Sequence, residues 1–371
     1  MFNECMRGEV DSQTALLTLT SPEKRVPQEH PIRRIKRLAD HALKQLDAVF
    51  DEMYSANGRP SIPPERLLKA QLLIALYSVR SERQFCERLD YDLLFRFFLD
   101  MGLDDPSWDA TVFTKNRDRL VEHEVARLFF EEVVRQARQA DLLSREHFTV
   151  DGTLIEAWAS LKSFKRKGEK PGDRQPPDDP GNPTVDFHGE KRSNQTHEST
   201  TDPESRLARK GKGKEAKLCY SGHVLMENRH GLCVDLRIAE ASGHAERDEA
   251  MEMLRRLRRR GYDPRTLAAD KGYDAGSFPH EVLALGIEPH IAVNEHASQD
   301  SPARRFVGRA GYAVSQRIRK RIEEIFGWAK TIGGLRKTRY KGRQRTWTAG
   351  YLVAAAYNLL RITRLTMEAS T

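Results

Sequence analysis

The sequence predicts an α/β protein: a mixed sheet with flanking helices, preceded by an all-helical N-terminal domain. Three observations carry this reading. Apolar residues recur at helical spacing from Pro31 to about Ala140. The pattern then changes to strand-like runs, beginning at His147. From there the order is three strands, a helix, a strand, a helix, a strand and a final run of helix. A chain of 371 residues is long enough for two or three domains, each with its own core.

The elements follow one by one. Ile35, Leu38, Ala42, Leu46, Val49 and Met53 suit one amphipathic helix from Pro31 to Tyr54, which Asn57-Gly58-Arg59-Pro60 then breaks. Pro63-Pro64-Glu65 opens a second helix, Arg66 to Tyr77, apolar on most faces and therefore buried. Ser81-Glu82-Arg83-Gln84 reads as a capping box before a third, and Asp109 to Ala140 supplies one or two more. His147–Ile155, Leu218–Met226 and Leu232–Ile238 read as strands, with residues 227–231 turning between the last two. Glu246 to Arg260 is a helix, Thr266 to Asp270 a strand, Ser277 to Leu285 a helix, and Glu288 to Val293 a short strand. A long basic helix around Glu323 follows, and Thr348 to Leu360 packs on the sheet. Residues 1–30 show no sustained period and read as a mobile tail. Between Ser160 and Lys217 the chain is polar and nearly without apolar residues, too poor in burial to offset its ordering entropy. That predicts a disordered insertion at about 160–216.

Composition narrows the function. Hydrophobic content of 39% and charged content of 31% describe a soluble globular protein. A formal charge of +8 with a pI near 9.2 favours a polyanionic partner over a neutral small molecule. The longest apolar stretch, Tyr351 to Tyr357, is far short of the ~20 residues that cross a bilayer, and no secretory leader is expected. Cys5, Cys86, Cys219 and Cys233 form no CxxC pair and read as reduced thiols of a cytoplasmic protein.

Three carboxylates stand out against this background. Asp151 ends the run Phe148-Thr149-Val150; Asp270 ends Leu267-Ala268-Ala269; Glu323 lies on the basic helix. Two acids at strand ends and one on a helix can share divalent cations that activate an oxygen and a phosphate ester. Helical geometry chooses Glu323 over Glu324. At ~100° per residue, Ile318, Ile322, Ile325 and Ala329 form an apolar stripe, and Arg319, Glu323 and Lys330 lie along one edge of it with Gln316 close by. Taken alone, that helix also suits an exposed element with ordinary ion pairs. From Arg304 to Arg345 there are fourteen Lys/Arg and two acids, an excess that favours a DNA track.

These stretches resemble the DDE transposases of bacterial insertion sequences, in particular the insertion-sequence-five group. The resemblance rests on Val150-Asp151-Gly152-Thr153, on Ala269-Asp270-Lys271-Gly272-Tyr273-Asp274, and on Gln316 to Lys330. In that last stretch Arg319, Glu323 and Lys330 keep the family's Tyr-x2-Arg-x3-Glu-x6-Lys spacing, but Gln316 replaces its tyrosine. Softer similarity runs through residues 186–194 and 201–204, and from about Gly58 to Leu120. The resemblance implies a ribonuclease-H-like catalytic domain at 143–371 and a helical, DNA-binding domain at 31–142. It implies cleavage of DNA at terminal inverted repeats, then strand transfer into target DNA. Asp151, Asp270 and Glu323 would be catalytic and hold two Mg²⁺ ions, with Mn²⁺ a possible substitute and Asp151 the bridging ligand. Arg319, Lys330, Lys271, Arg317 and Lys320 would contact double-stranded DNA. A homodimer at the bacterial nucleoid is the expected setting. A non-catalytic protein that binds terminal repeats, and a nuclease on the same fold, remain the competing functions.

Other signals point to structure rather than chemistry. His188, His197, His223, His230 and His244 match no compact zinc set. Asp202 and Asp274 suit capping or turn roles. Trp158, Trp328 and Trp347 suit core packing. Of the basic runs, Arg255 to Arg260 suits a solvated face as well as a DNA contact.

Overall fold

The computed structural model describes residues 20–53, 61–168, 186–187, 190–211 and 213–368. Among these, eight helices precede the sheet: α1 (Pro22–Arg25), α2 (Pro31–Lys44), α3 (Asp47–Met53), α4 (Pro64–Leu76), α5 (Glu82–Tyr91), α6 (Leu93–Phe98), α7 (Thr111–Glu122) and α8 (Val125–Gln139). The single helix expected over 31–54 is thus two, α2 and α3. Residues 20–30 are not a loose tail. Ser21 caps α1 by accepting from the Lys24 amide (3.3 Å), and the buried Arg33 of α2 holds this stretch down. Its guanidinium donates to the carbonyls of Glu23 (2.6 Å), Val26 (2.8 Å) and Pro27 (3.0 Å) and pairs with the Glu23 carboxylate. The remainder of the expected tail lies outside the described residues. α4 is buried almost all round, as its composition requires, and Ser81 caps α5 through the Gln84 amide (3.1 Å).

The sheet is built from β1 (His147–Glu156), β7 (Lys217–Glu227), β8 (Cys233–Glu240), β9 (Thr266–Ala269) and β10 (Glu288–Ile291), in the order β8-β7-β1-β9-β10. β1, β7 and β8 are antiparallel to their neighbours, whereas β9 joins β1, and β10 joins β9, in parallel. Three antiparallel strands followed by two parallel ones added beyond the first is the ribonuclease-H-like arrangement. α9 (Ala245–Arg259), α10 (Phe278–Ala284), α11 (Ala310–Ile318), α12 (Ile322–Thr331) and α13 (Arg343–Glu368) complete the chain. No helix among the described residues is long and apolar enough to cross a membrane.

Strand alternation sorts the central positions onto two faces. Thr153 faces α12, whose Lys330 ammonium donates to its hydroxyl (2.6 Å); Asp151, two residues away, shares that face. Gly152 faces α9, opposite His223 of β7. α13 packs on β8 with one flank, where Asn358 reads both the amide (3.0 Å) and the carbonyl (2.8 Å) of Cys233. With the other it meets the N-terminal helices, as in the Phe130–Tyr351 ring contact at 5.5 Å. It therefore does more than cover the sheet: it joins both halves in one buried core.

The polar stretch between β1 and β7 departs furthest from expectation. β2 (Phe164–Arg166) pairs with β5 (His197–Ser199), β3 (Asp186–Phe187) with β4 (Glu190–Lys191), and β6 (Arg206–Ala208) joins the main sheet beside the start of β7. Asp202 is 1% exposed and accepts from the Tyr220 hydroxyl (2.6 Å). A few long-range bonds to β7 thus order residues that local composition marks as disordered. Residues 169–185, the centre of the expected insertion, lie outside the described residues.

Candidate active site on β1 and at the end of β9

Parallel pairing brings the two aspartates together. His147, Phe148 and Thr149 lie opposite Thr266, Leu267 and Ala268, and two further steps in that register set Asp270 beside Asp151. β9 stops there because Asp270 turns the chain: its carboxylate accepts from the Gly272 amide (2.8 Å) and caps the 3-10 turn Lys271–Tyr273. Burial pushes the Asp151 carboxyl up to about 6, although the Gly152 amide (2.8 Å) and the Arg319 charge oppose this; Asp270 and Glu246 push it further. Repulsion between neighbouring carboxylates thus adds to the larger effect of burial. Glu246, in the first turn of α9, was not foreseen.

The basic helix is not continuous. Residues 319–321 form a 3-10 turn between α11 and α12. The stripe survives the break in part: Ile322 and Ile325 are buried, Ile318 and Ala329 half-buried. Gln316, where the family has tyrosine, donates to the carbonyls of Ala269 (3.3 Å) and His290 (2.5 Å), capping the ends of β9 and β10. Its side-chain oxygen accepts from Arg319 Nε (3.3 Å), so this position orients the arginine whose charge reaches Asp151. Lys330 is held at Thr153, and burial followed by the charges of Lys210 and Arg336 lowers its pKa. Glu323 is exposed on the helical stretch between these two anchored cations, while Glu324 pairs with Arg361 of α13 (3.5 Å). Among the described residues, no three His, Cys, Asp or Glu side chains are gathered closely enough to hold a metal ion. Asp151 and Asp270 are thus neighbours, and Glu323 is not drawn in with them.

The donor chemistry of the two aspartates suits a hard divalent cation, although they alone do not complete a site. The donors are carboxylate oxygens carrying unbalanced negative charge. Two fully buried polar groups near them have no hydrogen-bond partner, the Tyr273 hydroxyl and both ring nitrogens of His223. Burial drives Tyr273 well above the usual phenol range, and the charges of Asp151, Glu246 and Asp270 add to this. Burial holds His223 down at about 3.

Of the DNA-contact residues expected, Lys271, Arg317 and Lys320 are exposed, and Arg319 and Lys330 half-buried. The one-signed run 304–345 is less unbalanced in space than in sequence. Arg309 pairs with Glu288 (2.9 Å), Lys337 with Glu156 (3.5 Å), Arg343 with Glu204 (3.7 Å) and Arg345 with Asp118 (2.7 Å). In the run 255–260, Arg256 and Arg260 both pair with Glu131 of α8, a tie between helices rather than a DNA face. Asp274 holds a turn, accepting from the Asn294 amide (2.9 Å) and the Ser301 hydroxyl (2.5 Å). Trp347 donates to the Leu236 carbonyl (3.0 Å) and packs on Tyr351, and Trp328 packs on Tyr357. Trp158 breaks the expectation of core packing: it is 51% exposed, pointing outward between buried Ala157 and Ala159. His197 stacks on Phe164 and His230 meets the Leu142 carbonyl (2.8 Å), both structural; the His188 side chain lies outside the described residues. Cys86, Cys219 and Cys233 are free and buried.

A ribonuclease-H-like sheet with one aspartate in the middle of its first strand and another just past its fourth is the frame of polynucleotidyl transferases. Two family matches make the class specific: a Transposase domain (DUF772) over residues 20–119 and a Transposase DDE domain over residues 184–359. Together they take in about three-quarters of the sequence, and the chain belongs to the DDE transposases typical of bacterial insertion sequences. The second match contains Asp270 and Glu323 but begins after Asp151. Similar solved structures include the piggyBac transposase synaptic complex with hairpin DNA. It is 11% identical, with 92% of this chain and 76% of that chain covered at a TM-score of 0.44. A pre-cleavage Mos1 transpososome is 13% identical over 84% of this chain and 82% of that chain, with a TM-score of 0.19. A Mos1 mariner paired-end complex with Mn is likewise 13% identical over 91% and 97%, with a TM-score of 0.19. The fold assignment itself rests on the strand order.

Proposed function

We propose that Asp151, Asp270 and Glu323 form the centre at which this transposase cuts element ends and joins them to target DNA. The observation that carries this is the β1–β9 register, which sets the two aspartates side by side next to Arg319. The helical stretch α11–α12 that carries Glu323 is fastened on both sides of that residue, by Gln316 of α11 to the ends of β9 and β10 and by Lys330 of α12 to β1. The three carboxylates would hold two Mg²⁺ ions, or Mn²⁺ in their place. Bound there, the ions supply an activated oxygen nucleophile and offset charge on the phosphate. Arg319, oriented by Gln316, would hold the phosphate beside Asp151. Lys330 would bind the next stretch of backbone, with Lys271, Arg317 and Lys320 as outlying contacts. Cleavage leaves a 3′-hydroxyl at the element end, and that hydroxyl would attack a phosphodiester in target DNA, forming a new P–O bond as the target's own 3′-oxygen leaves. The helices of residues 31–142 would recognise the terminal repeat, and two subunits would hold the two ends. The insertion-sequence-five group is the branch that the motif spacing favours.

The test uses labelled DNA carrying the element's own end, purified full-length protein, and Mg²⁺ or EDTA. Sized products should show a nick at the repeat boundary and, with target DNA added, a joined strand, both lost in EDTA. Retarded but uncut DNA would favour the non-catalytic binding protein, and cutting without joining the nuclease. For Lys330→Ala, the salt dependence of end binding should flatten by roughly 0.9 in log–log slope for each phosphate that the ammonium had neutralised. An unchanged slope with full activity would remove Lys330 from the interface.

A further inference from the structure

Joining requires two DNA molecules at one centre, and the fold gives that centre two sides. On one side α12 runs over β1, where Lys330 meets Thr153. The N-terminal helices are fastened just beyond: Ser78 Oγ donates to the Ile332 carbonyl (3.0 Å) and Arg339 donates to the Val79 carbonyl (2.9 Å). An element end held by those helices therefore reaches Asp151 from the β1 side. On the other side lies α11, which Gln316 fixes to the ends of β9 and β10, at the β10 edge of the sheet.

The outward surface of this second side is strongly basic. Residues 301–322 contain seven Lys/Arg and no Asp or Glu, so the segment cannot neutralise itself. Arg309 pairs with Glu288 (2.9 Å). Arg305, Arg317 and Lys320 are exposed, and among the described residues no hydrogen bond or ion pair reaches them. Within α11 only Ser315 is buried; Ala310, Ala313, Val314 and Arg317 recur at helical spacing on the exposed face. The side chains between the cations are short and uncharged, so a phosphate backbone can come close with no acid to repel it. Within 301–322 the one amide side chain, Gln316, is turned inward to two carbonyls. Such a face holds phosphates without depending on sequence, which is read mainly by hydrogen bonds to base edges. A terminal repeat is one sequence, whereas target DNA is many.

We propose that the outward face of α11, with Arg305 before it and Lys320 after it, is the surface that receives target DNA, while the element end enters from the Lys330 side. The inference rests on the centre described under Proposed function and divides its DNA contacts between the two substrates. Arg317 and Lys320, outlying for the element end, are central for the target. The target phosphate is thereby presented to the centre from the β10 edge, opposite the end that carries the 3′-hydroxyl.

The test assays the two substrates apart, with full-length protein and Mg²⁺ throughout. One reaction holds intact element-end DNA and reports cleavage. The other holds an end already carrying its 3′-hydroxyl, with a plasmid of unrelated sequence, and reports joining. The variants are Val314→Glu, Val314→Lys and Arg305→Glu, all at exposed positions, with circular dichroism melts confirming that each is folded. Val314→Glu and Arg305→Glu should each lower joining roughly tenfold at limiting plasmid, because an acid set against phosphates repels them. Excess plasmid should restore joining, and cleavage of the intact end should match wild type. Val314→Lys, the same position with the opposite charge, should join at least as well as wild type. Equal loss of cleavage and joining in the acidic variants would assign the face to the element end and overturn the proposal. Full joining by both acidic variants would also overturn it, as would equal loss in Val314→Lys and Val314→Glu, the mark of a packing role. Wild-type protein that neither cuts nor joins would overturn the centre and this inference with it.

Discussion

Asp151→Asn is expected to abolish strand cleavage, lowering the rate by a thousandfold or more, about 4 kcal/mol of barrier, while end binding changes little. The amide keeps the size of the carboxylate and can still accept from the Gly152 amide, so the strand should hold its shape. What it loses is the charge that a divalent cation requires. Asp270→Asn should behave alike, because its backbone bond to Gly272 also survives. Glu324→Gln should keep its activity, its carboxylate being turned to Arg361. Stability should move the opposite way. The Asp151 carboxyl titrates near 6 in the folded chain against 3.8 ordinarily. The folded state therefore holds this proton more tightly than the unfolded one. The resulting penalty is absent below about pH 4, grows through pH 6 and is complete above it, at about 3 kcal/mol. Metal-free Asp151→Asn should accordingly melt above wild type at pH 8, with the gain disappearing near pH 4. Full cleavage by the variant, or an equal melting gain at both pH values, would contradict the assignment.

The two aspartates were legible in the sequence because strand-like runs are. An alternating run followed by Asp-Gly, and a short apolar run followed by Asp-Lys-Gly, each fix where a carboxylate emerges without knowledge of its neighbours. The strands β1, β7, β8 and β9 were read to within a residue or two for the same reason. What was missed depended on contacts between distant segments. Glu246 looks like any acid at a helix start, in a turn it shares with Asp248. Only the pairing of β1 with β7, and of α9 with both, shows that it overhangs a glycine. The stretch 190–211 carries the composition of a disordered loop. It is ordered by Asp202 meeting Tyr220 and by β6 adding to β7, neither of which is visible in a local window. The excess of positive charge in 304–345 misled in the opposite sense, since several of its partners lie a hundred residues or more away. Local pattern thus located the two aspartates, while their surroundings were set by topology.

Glu227→Ala should produce the largest loss of stability among single changes away from the site, about 3–5 kcal/mol. Glu227 ends β7 at the turn into β8 and is 0% exposed. Among the described residues no arginine or lysine neutralises it; its two oxygens collect backbone amides instead. Oε2 accepts from Ser144 (3.0 Å) and Arg229 (2.9 Å), and Oε1 from His230 (2.6 Å) and Leu232 (3.3 Å). One side chain therefore closes the β7–β8 turn and ties it to the segment leading from α8 into β1. Alanine leaves these amides without an acceptor in a largely buried place, each costing about 1–3 kcal/mol where water cannot reach. Glu227→Gln should fall in between, since its oxygen can still accept while its amide group faces donors it cannot satisfy. Glu240→Gln, at the more open far end of β8, should change little. Urea denaturation of the three variants measures this ranking directly. Val224 and His223, the β7 residues facing Asp151 and Gly152, lie three and four residues from Glu227 and do not bond to it, so the fraction of Glu227→Ala that remains folded should still cut DNA. A Glu227→Ala midpoint equal to that of Glu240→Gln would mean the turn closes without its carboxylate.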